Sequence, residues 1–179
     1  PMIIYDPSEA SNTTRGRVDD RFLEAIDLAP TFIEAAGGEI PDHILEGRSL
    51  VPILNGKEQL DWRTYAISES EYAGRFASWD FGISPSKARG TMVRTEDWKY
   101  IHHEAFRPEL FDLKNDPNEL ADLGDDPNYE IVRREMREYM FESLRNRKFR
   151  KTVSNDVMET RARRSLDYEM KKPVYIGVW

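Results

Sequence analysis

The strongest constraint on the fold is a series of short β-type runs followed at once by one long amphipathic segment. Residues 88–94, 98–103 and 109–113 have the composition of strands, and a three-residue connection joins the first two. Strands joined by connections this short run antiparallel. Another run at residues 63–68 supplies a fourth strand, so the pattern predicts an antiparallel sheet of about four strands.

The segment after the strands has the start signals of a helix. Asp126 is placed to cap the helix, and Pro127 falls at the first helical position, where its missing N–H has no partner to lose. Basic residues at 145–151 suit the negative end of the helix dipole. Apolar residues at helical spacing predict that one face packs on the sheet. They are Tyr129, Val132, Met136, Tyr139, Met140 and Leu144.

The first sixty residues follow a different pattern, which makes the predicted fold class α/β (α+β). Residues 1–4 resemble a buried strand near its beginning, and this abrupt start predicts a piece of a longer protein. A helix is predicted after Asp27, with Asp27 as its cap and Phe32 on its apolar face. Gly37 ends that helix, and a helical turn is predicted at residues 50–54.

Composition limits the chemistry that the chain can perform. The 179 residues include no cysteine, which excludes disulfides, zinc–thiolate sites and a cysteine-derived nucleophile within this sequence. Eight Phe, eight Tyr and four Trp argue against a disordered chain. No apolar stretch approaches the roughly 18 residues of a membrane span, so no membrane partner is expected.

Charge is distributed unevenly along the chain. The sequence from Arg133 to Lys172 has 13 basic and 7 acidic residues, whereas the residues before it have 13 basic and 26 acidic ones. A formal net charge of −7 argues against a nucleic-acid partner. A basic arm on an acidic body favours contacts between subunits, and we expect a homo-oligomer.

Six phrases occur in one order that resembles the C-terminal third of the sulfatase family, within the alkaline-phosphatase-like superfamily. The run at residues 89–95 and the ending 176–179 are most similar to the phosphonate monoester hydrolase and arylsulfatase branch. The six phrases are residues 1–4, 26–37, 47–50, 92–101, 109–113 and 115–120.

The resemblance implies a division into three parts. Residues 1–60 would end a large alkaline-phosphatase-like α/β domain, and residues 61–150 would form a small subdomain of about four antiparallel strands packed on a long helix. Residues 151–179 would be a basic arm and an apolar tail. The alternative is a non-enzymatic binding or assembly module with the same shape.

The resemblance also implies the chemistry of a whole protein. Its members hydrolyse sulfate, phosphonate or phosphate esters with a divalent metal such as Ca or Mn and a formylglycine-type nucleophile. The family's Cys-x-Pro-x-Arg motif and its metal-binding pairs do not occur in this sequence. We therefore assign no catalytic, cofactor-binding or metal residue here, predict that the chain alone is inactive, and expect an upstream catalytic part as its partner.

Three residues are candidates for a substrate mouth because they follow a predicted strand on a long loop. These are Glu69, Tyr72 and Arg75, and ordinary loop packing is the alternative. Four apolar residues of the tail are candidates for oligomer contacts, since they would pack on their own body or on a neighbour. They are Val174, Ile176, Val178 and Trp179.

Two other groups resemble metal sites but favour a structural role. His102 and His103 are adjacent in a predicted strand, so their side chains point to opposite faces and cannot easily chelate one ion. Asp112, Asp116 and Glu119 lack the spacing of a calcium loop, and Asp116 is expected to cap its own turn.

Overall fold

The computed structural model describes residues 2–73, 80–148, 153–154 and 156–161. The chain divides into two compact units, Pro1–Ala25 with Val51–Arg147 and Ile26–Leu50 with Lys148–Trp179. The boundaries near residues 60 and 150, which the resemblance implies, stay a prediction. The helices are α1 Leu28–Ala35, α2 Val51–Leu54 and α3 Glu130–Asn146, and residues 156–161 are also helical. The strands are β1 Ala66–Glu71, β2 Arg89–Arg94, β3 Trp98–His103 and β4 Glu109–Asp112.

The four strands form one antiparallel sheet in the order β1-β2-β3-β4, which confirms the predicted α/β architecture. Thr95 closes the β2–β3 hairpin, because its N–H donates to the Trp98 carbonyl at 2.9 Å and its hydroxyl accepts the Trp98 N–H at 3.1 Å. Strand β1 begins three residues later than predicted, at Ala66.

The core of the first unit lies between the sheet and α3. Val93 is paired with Tyr100 and Tyr100 with Leu110, so the three side chains share one face of the sheet. Met136 of α3 packs against them, and each of the four is at most 2 % exposed. Burial raises the pKa of the Tyr100 hydroxyl. The predicted apolar stripe of α3 is therefore confirmed as far as Met140, whereas Leu144 is 41 % exposed.

The predicted cap at Asp126 and Pro127 start a 3₁₀ turn, Pro127–Tyr129, and the α-helix itself begins three residues later than predicted, at Glu130. The Asp126 carboxylate accepts the Asn128 N–H at 2.9 Å, and Pro127 opens a 3₁₀ turn that leads into the helix. The buried guanidinium of Arg133 donates to the carbonyls of Leu123 and Asp126 at 3.0 and 2.7 Å. These bonds fix the helix to the segment before it.

The loop between β4 and α3 is held by a half-buried carboxylate. Asp122 accepts the N–H groups of Gly124 and Leu110 at 2.8 and 3.1 Å, and Arg107 lies 2.6 Å from its other oxygen. Burial raises the pKa of Asp122, but these hydrogen bonds outweigh it and hold that pKa below its usual value. A Cβ on Gly124 would lie 2.0 Å from the Pro108 carbonyl oxygen. This loop therefore has space for glycine alone.

Helix α1 belongs to the second unit, and its start differs from the prediction. The Asp27 carboxylate makes no cap to the helix; it accepts the Arg48 N–H at 2.8 Å. Phe32 is 66 % exposed, so it does not belong to a buried face within this chain. The predicted end is correct, because Gly37 has a φ of 77° and the Gly38 N–H donates to the Ile33 carbonyl at 2.9 Å.

The buried strand predicted at the start of the chain is not formed. Residues 2–7 belong to no strand of the described sheet, and the side chain of Ile3 is 95 % exposed. A β-type run is buried only where strands or helices pack beside it, and none of the described elements covers Ile3. Among the described helices, none has the length and apolar character needed to cross a bilayer.

Candidate functional site

Four aromatic side chains meet at one end of the sheet, and we call them the aromatic cluster: Tyr72, Phe81, His103 and Phe106. The ring centroids of Tyr72 and His103 are 6.2 Å apart, and Phe106 lies 6.1 Å from His103. Phe81 meets Phe106 edge-on at 5.9 Å. Phe81 and Phe106 are 68 % and 45 % exposed, so the cluster presents an apolar surface to the outside.

Tyr72 is positioned by the continuation of the β1–β2 pairing beyond the end of β1. Its N–H donates to the Ala88 carbonyl at 2.8 Å, and its hydroxyl donates to the Arg89 carbonyl at 3.4 Å. The predicted loop residue is therefore held against the start of β2, and its ring faces the end of β3.

His103 is fixed in place from two sides. Its Nε2 lies 2.8 Å from the Glu109 carboxylate, because a five-residue connection returns the chain from β3 to β4 beside it. Its Nδ1 is buried and makes no hydrogen bond within the described residues. A Cβ on Gly90 would lie 3.1 Å from that nitrogen, so glycine leaves room for the ring. The imidazole is enclosed and cannot easily approach a substrate.

Glu69 lies on β1 rather than on the predicted loop. It pairs with Thr91 and shares the face of Ile67, which packs toward the core. Its carboxylate forms an ion pair with Arg147 at 2.6 Å, with both side chains about half exposed. The structure therefore does not bring Glu69 and Tyr72 together. The other candidates, Arg75 of the mouth and the tail residues, lie outside the described residues; those tail residues are Val174, Ile176, Val178 and Trp179.

The metal-like groups of the sequence form turns instead. Asp112 accepts from the Asn115 N–H at 3.0 Å, and Asp116 accepts the Ala121 N–H at 2.8 Å. Glu119 forms an ion pair with Lys99 at 2.5 Å. Within the described residues, no three His, Asp or Glu side chains are grouped as a metal site requires.

Sequence reasoning did not find the aromatic cluster as a unit. Phe81, His103 and Phe106 lie on three segments that contact one another only in the folded chain. The signal available was the short β3–β4 connection, which places Phe106 between two paired strands. The cluster offers apolar contact, and its two polar side chains are held by the Arg89 carbonyl and by Glu109, so it is suited to hold a ligand rather than to transform it.

A family model matches most of the chain. The model is described as N-sulphoglucosamine sulphohydrolase, C-terminal, and it matches residues 1–147.

Relatives and solved structures agree with that match. The chain is 34 % identical over 138 residues to the multifunctional alkaline phosphatase superfamily protein PehA of Trinickia caryophylli, covering 75 % of this chain and 26 % of PehA. It is 31 % identical to an N-acetylglucosamine-6-O-sulfatase of Bacteroides thetaiotaomicron, covering 83 % of this chain and 25 % of that sulfatase.

The crystal structure of the phosphonate monoester hydrolase of Agrobacterium radiobacter superposes with a TM-score of 0.62 at 34 % identity, covering 68 % of this chain and 25 % of that enzyme. The chain thus spans about a quarter of the length of these proteins.

Proposed function

Because this chain belongs to the family of C-terminal sulfatase domains, we propose that it completes a hydrolase of sulfate, phosphonate or phosphate esters. The relatives are sulfatases and phosphonate monoester hydrolases of the alkaline-phosphatase-like superfamily. The observation that carries the proposal is that family membership, sequence relatives and the four-stranded sheet all agree over the same part of the chain.

In this proposal, the divalent metal and the nucleophile belong to the part of the protein upstream of this chain. The described residues do not fit a metal, since they include no suitable group of ligands. The chain then acts as scaffold, and its exposed apolar start is the surface through which it joins that part. Ile3 and Tyr5 are 95 % and 74 % exposed, which is costly unless a neighbour covers them.

The assignment is tested by ester hydrolysis. We expect the whole protein to hydrolyse p-nitrophenyl sulfate or a p-nitrophenyl phosphonate, and to lose that activity when a chelator removes its metal. The 179-residue chain, assayed beside it, should show no turnover above background. Turnover by the chain alone would mean that it has its own catalytic groups. An inactive whole protein would favour the assembly module instead.

We also propose that the aromatic cluster lines the approach to the substrate. Tyr72 was a candidate for this role from its sequence position, and the exposed rings of Phe81 and Phe106 extend the surface beside it. An aryl leaving group or a sugar ring can stack on such a surface without a charged partner.

Replacing Phe106 with Ala tests the approach to the substrate. We expect the KM of the whole protein for an aryl ester to rise about tenfold while kcat changes little, because one stacking contact is lost and no reacting group is removed. The matched control is Phe141→Ala, since Phe141 is 55 % exposed on α3 and lies outside the cluster. Equal KM values for both variants and the wild type would mean that the aromatic cluster does not contact the substrate.

We finally propose that the whole protein self-associates. The support is the uneven charge, with an acidic body followed by the basic sequence from Arg133 to Lys172. The apolar tail residues named above would contribute to the same contacts, and nothing in the composition favours a nucleic-acid or membrane partner.

A further inference from the structure

A cavity of about 310 Å³ lies between the β2–β3 turn and helix α3, away from the aromatic cluster. Its volume is sufficient for one or two side chains and falls at the lower end of small-ligand sites. It is lined by Thr64, Thr95, Glu96, Asp97, Trp98, Val132, Glu135, Met136 and Tyr139.

The inner wall of this cavity is aromatic and apolar. Met136 is 2 % exposed, and the half-buried rings of Trp98 and Tyr139 belong to the layer around the core. Trp98 is held against Tyr129 at a centroid distance of 5.8 Å, and Tyr139 against Tyr65 at 4.9 Å. These contacts hold both rings at the wall of the cavity.

The rim of the cavity is acidic. Glu96 and Asp97 lie on the turn and Glu135 on α3, and all three side chains are exposed. Among the described residues, none of the three forms an ion pair, whereas Glu130 of the same helix is paired with both Arg133 and Arg137. An aromatic wall below three carboxylates favours a guanidinium, which stacks on rings and binds carboxylates with two N–H groups.

The chain has a matching cationic segment near its C-terminus. Three arginines, Arg161, Arg163 and Arg164, fall within four residues, and the last two lie outside the described residues. Arg161 is exposed and forms no ion pair within the described part of the chain. The described residues of this region belong to the second unit, where the Lys148 ammonium donates to the carbonyls of Asp42 and Leu45. The cavity is lined by residues of the first unit, and none of these lining residues is a Lys or an Arg.

We propose that the acidic aromatic cavity receives an arginine of the cluster Arg161, Arg163 and Arg164 from a second copy of the chain. This inference rests on the self-association proposed above and names its contact surface. Pairing opposite charges across such an interface sets the register of the two copies, and the aromatic wall adds stacking to the charge attraction.

The test is a charge reversal on the cavity of the whole protein. Sedimentation velocity over a range of concentrations should show that Glu96→Lys/Glu135→Lys weakens self-association about tenfold or more, because like charges then face each other. The control is Glu138→Lys, since Glu138 is exposed on the same helix, outside the cavity, and forms no ion pair within the described residues. Both changes lie on exposed positions, and unchanged melting temperatures verify that the variants fold.

A reciprocal variant tests whether the three arginines form the other side of this contact. Arg161→Glu/Arg163→Glu/Arg164→Glu should weaken association as much as the cavity variant, and combining both sets in one chain should restore it. Association that is unaffected by either set overturns the proposal. A lower melting temperature with unchanged association means that the arginines bind within their own chain, and it also overturns the proposal.

The outcome separates this proposal from the others. A wild-type protein that is monomeric at every concentration contradicts both self-association and the cavity contact. The hydrolysis assay is independent of these measurements, so their failure leaves the hydrolase proposal standing.

Discussion

Replacing Gly124 with Ala is expected to destabilise the sheet by about 3 kcal/mol. The added Cβ would lie 2.0 Å from the carbonyl oxygen of Pro108, and that atom belongs to the backbone just before β4. Because neither segment can rotate a side chain away, the loop must move. The move also breaks the hydrogen bond from the Gly124 N–H to Asp122. Hydrogen–deuterium exchange of β3 and β4 amides in the whole protein should become about 100-fold faster.

The matched control is Gly16→Ala. Gly16 has a φ of 76° and no atom within 4 Å of the Cβ position, so this variant has backbone strain without a steric contact. We expect Gly16→Ala to lower the free energy of unfolding by about 1 kcal/mol. If Gly124→Ala exchanges no faster than Gly16→Ala, the close approach of the Pro108 carbonyl does not constrain this loop.

Replacing Leu110 with Ala is expected to cost about 3 kcal/mol through a cavity in the core. Leu110 is fully buried among Val93, Tyr100 and Met136, and the sheet and α3 can collapse only partly around the lost methyl groups. Hydrogen–deuterium exchange of the β3 amides should again become about 100-fold faster, as expected for Gly124→Ala.

Leu120 provides the comparison for this substitution. It is the same residue type ten positions further along the chain and is 84 % exposed. Leu120→Ala should change stability by less than about 0.5 kcal/mol. Similar effects from the two substitutions would mean that Leu110 does not belong to the core described above.

The sheet and α3 could be predicted because local signals decide them. Strand β3 has the predicted bounds, and the cap at Asp126 lies where the sequence indicates. In both cases hydrogen bonds between near neighbours fix the structure. Asp27 shows the limit of this reasoning, since an acidic residue before a helix usually caps it. Here its carboxylate binds the Arg48 N–H, a partner 21 residues away that no local pattern indicates.

The candidate site was harder to predict for the same reason. Tyr72 was identified from its place after a strand, but the rings beside it depend on the register between strands. Glu69 was placed on a loop because it follows the strand predicted at residues 63–68. In the structure Glu69 lies in the exposed half of β1, which pairing with β2 extends beyond the apolar part.

The order of the strands has a consequence for how the protein is made. Every strand of the sheet pairs with its neighbour in sequence, so the pairings have low contact order and close only short stretches of chain. Such a meander can form soon after its residues leave the ribosome, without waiting for distant segments. In the whole protein proposed above, assembly of the exposed apolar start with an upstream part would be the slower event, as expected for a step that joins distant segments of a chain.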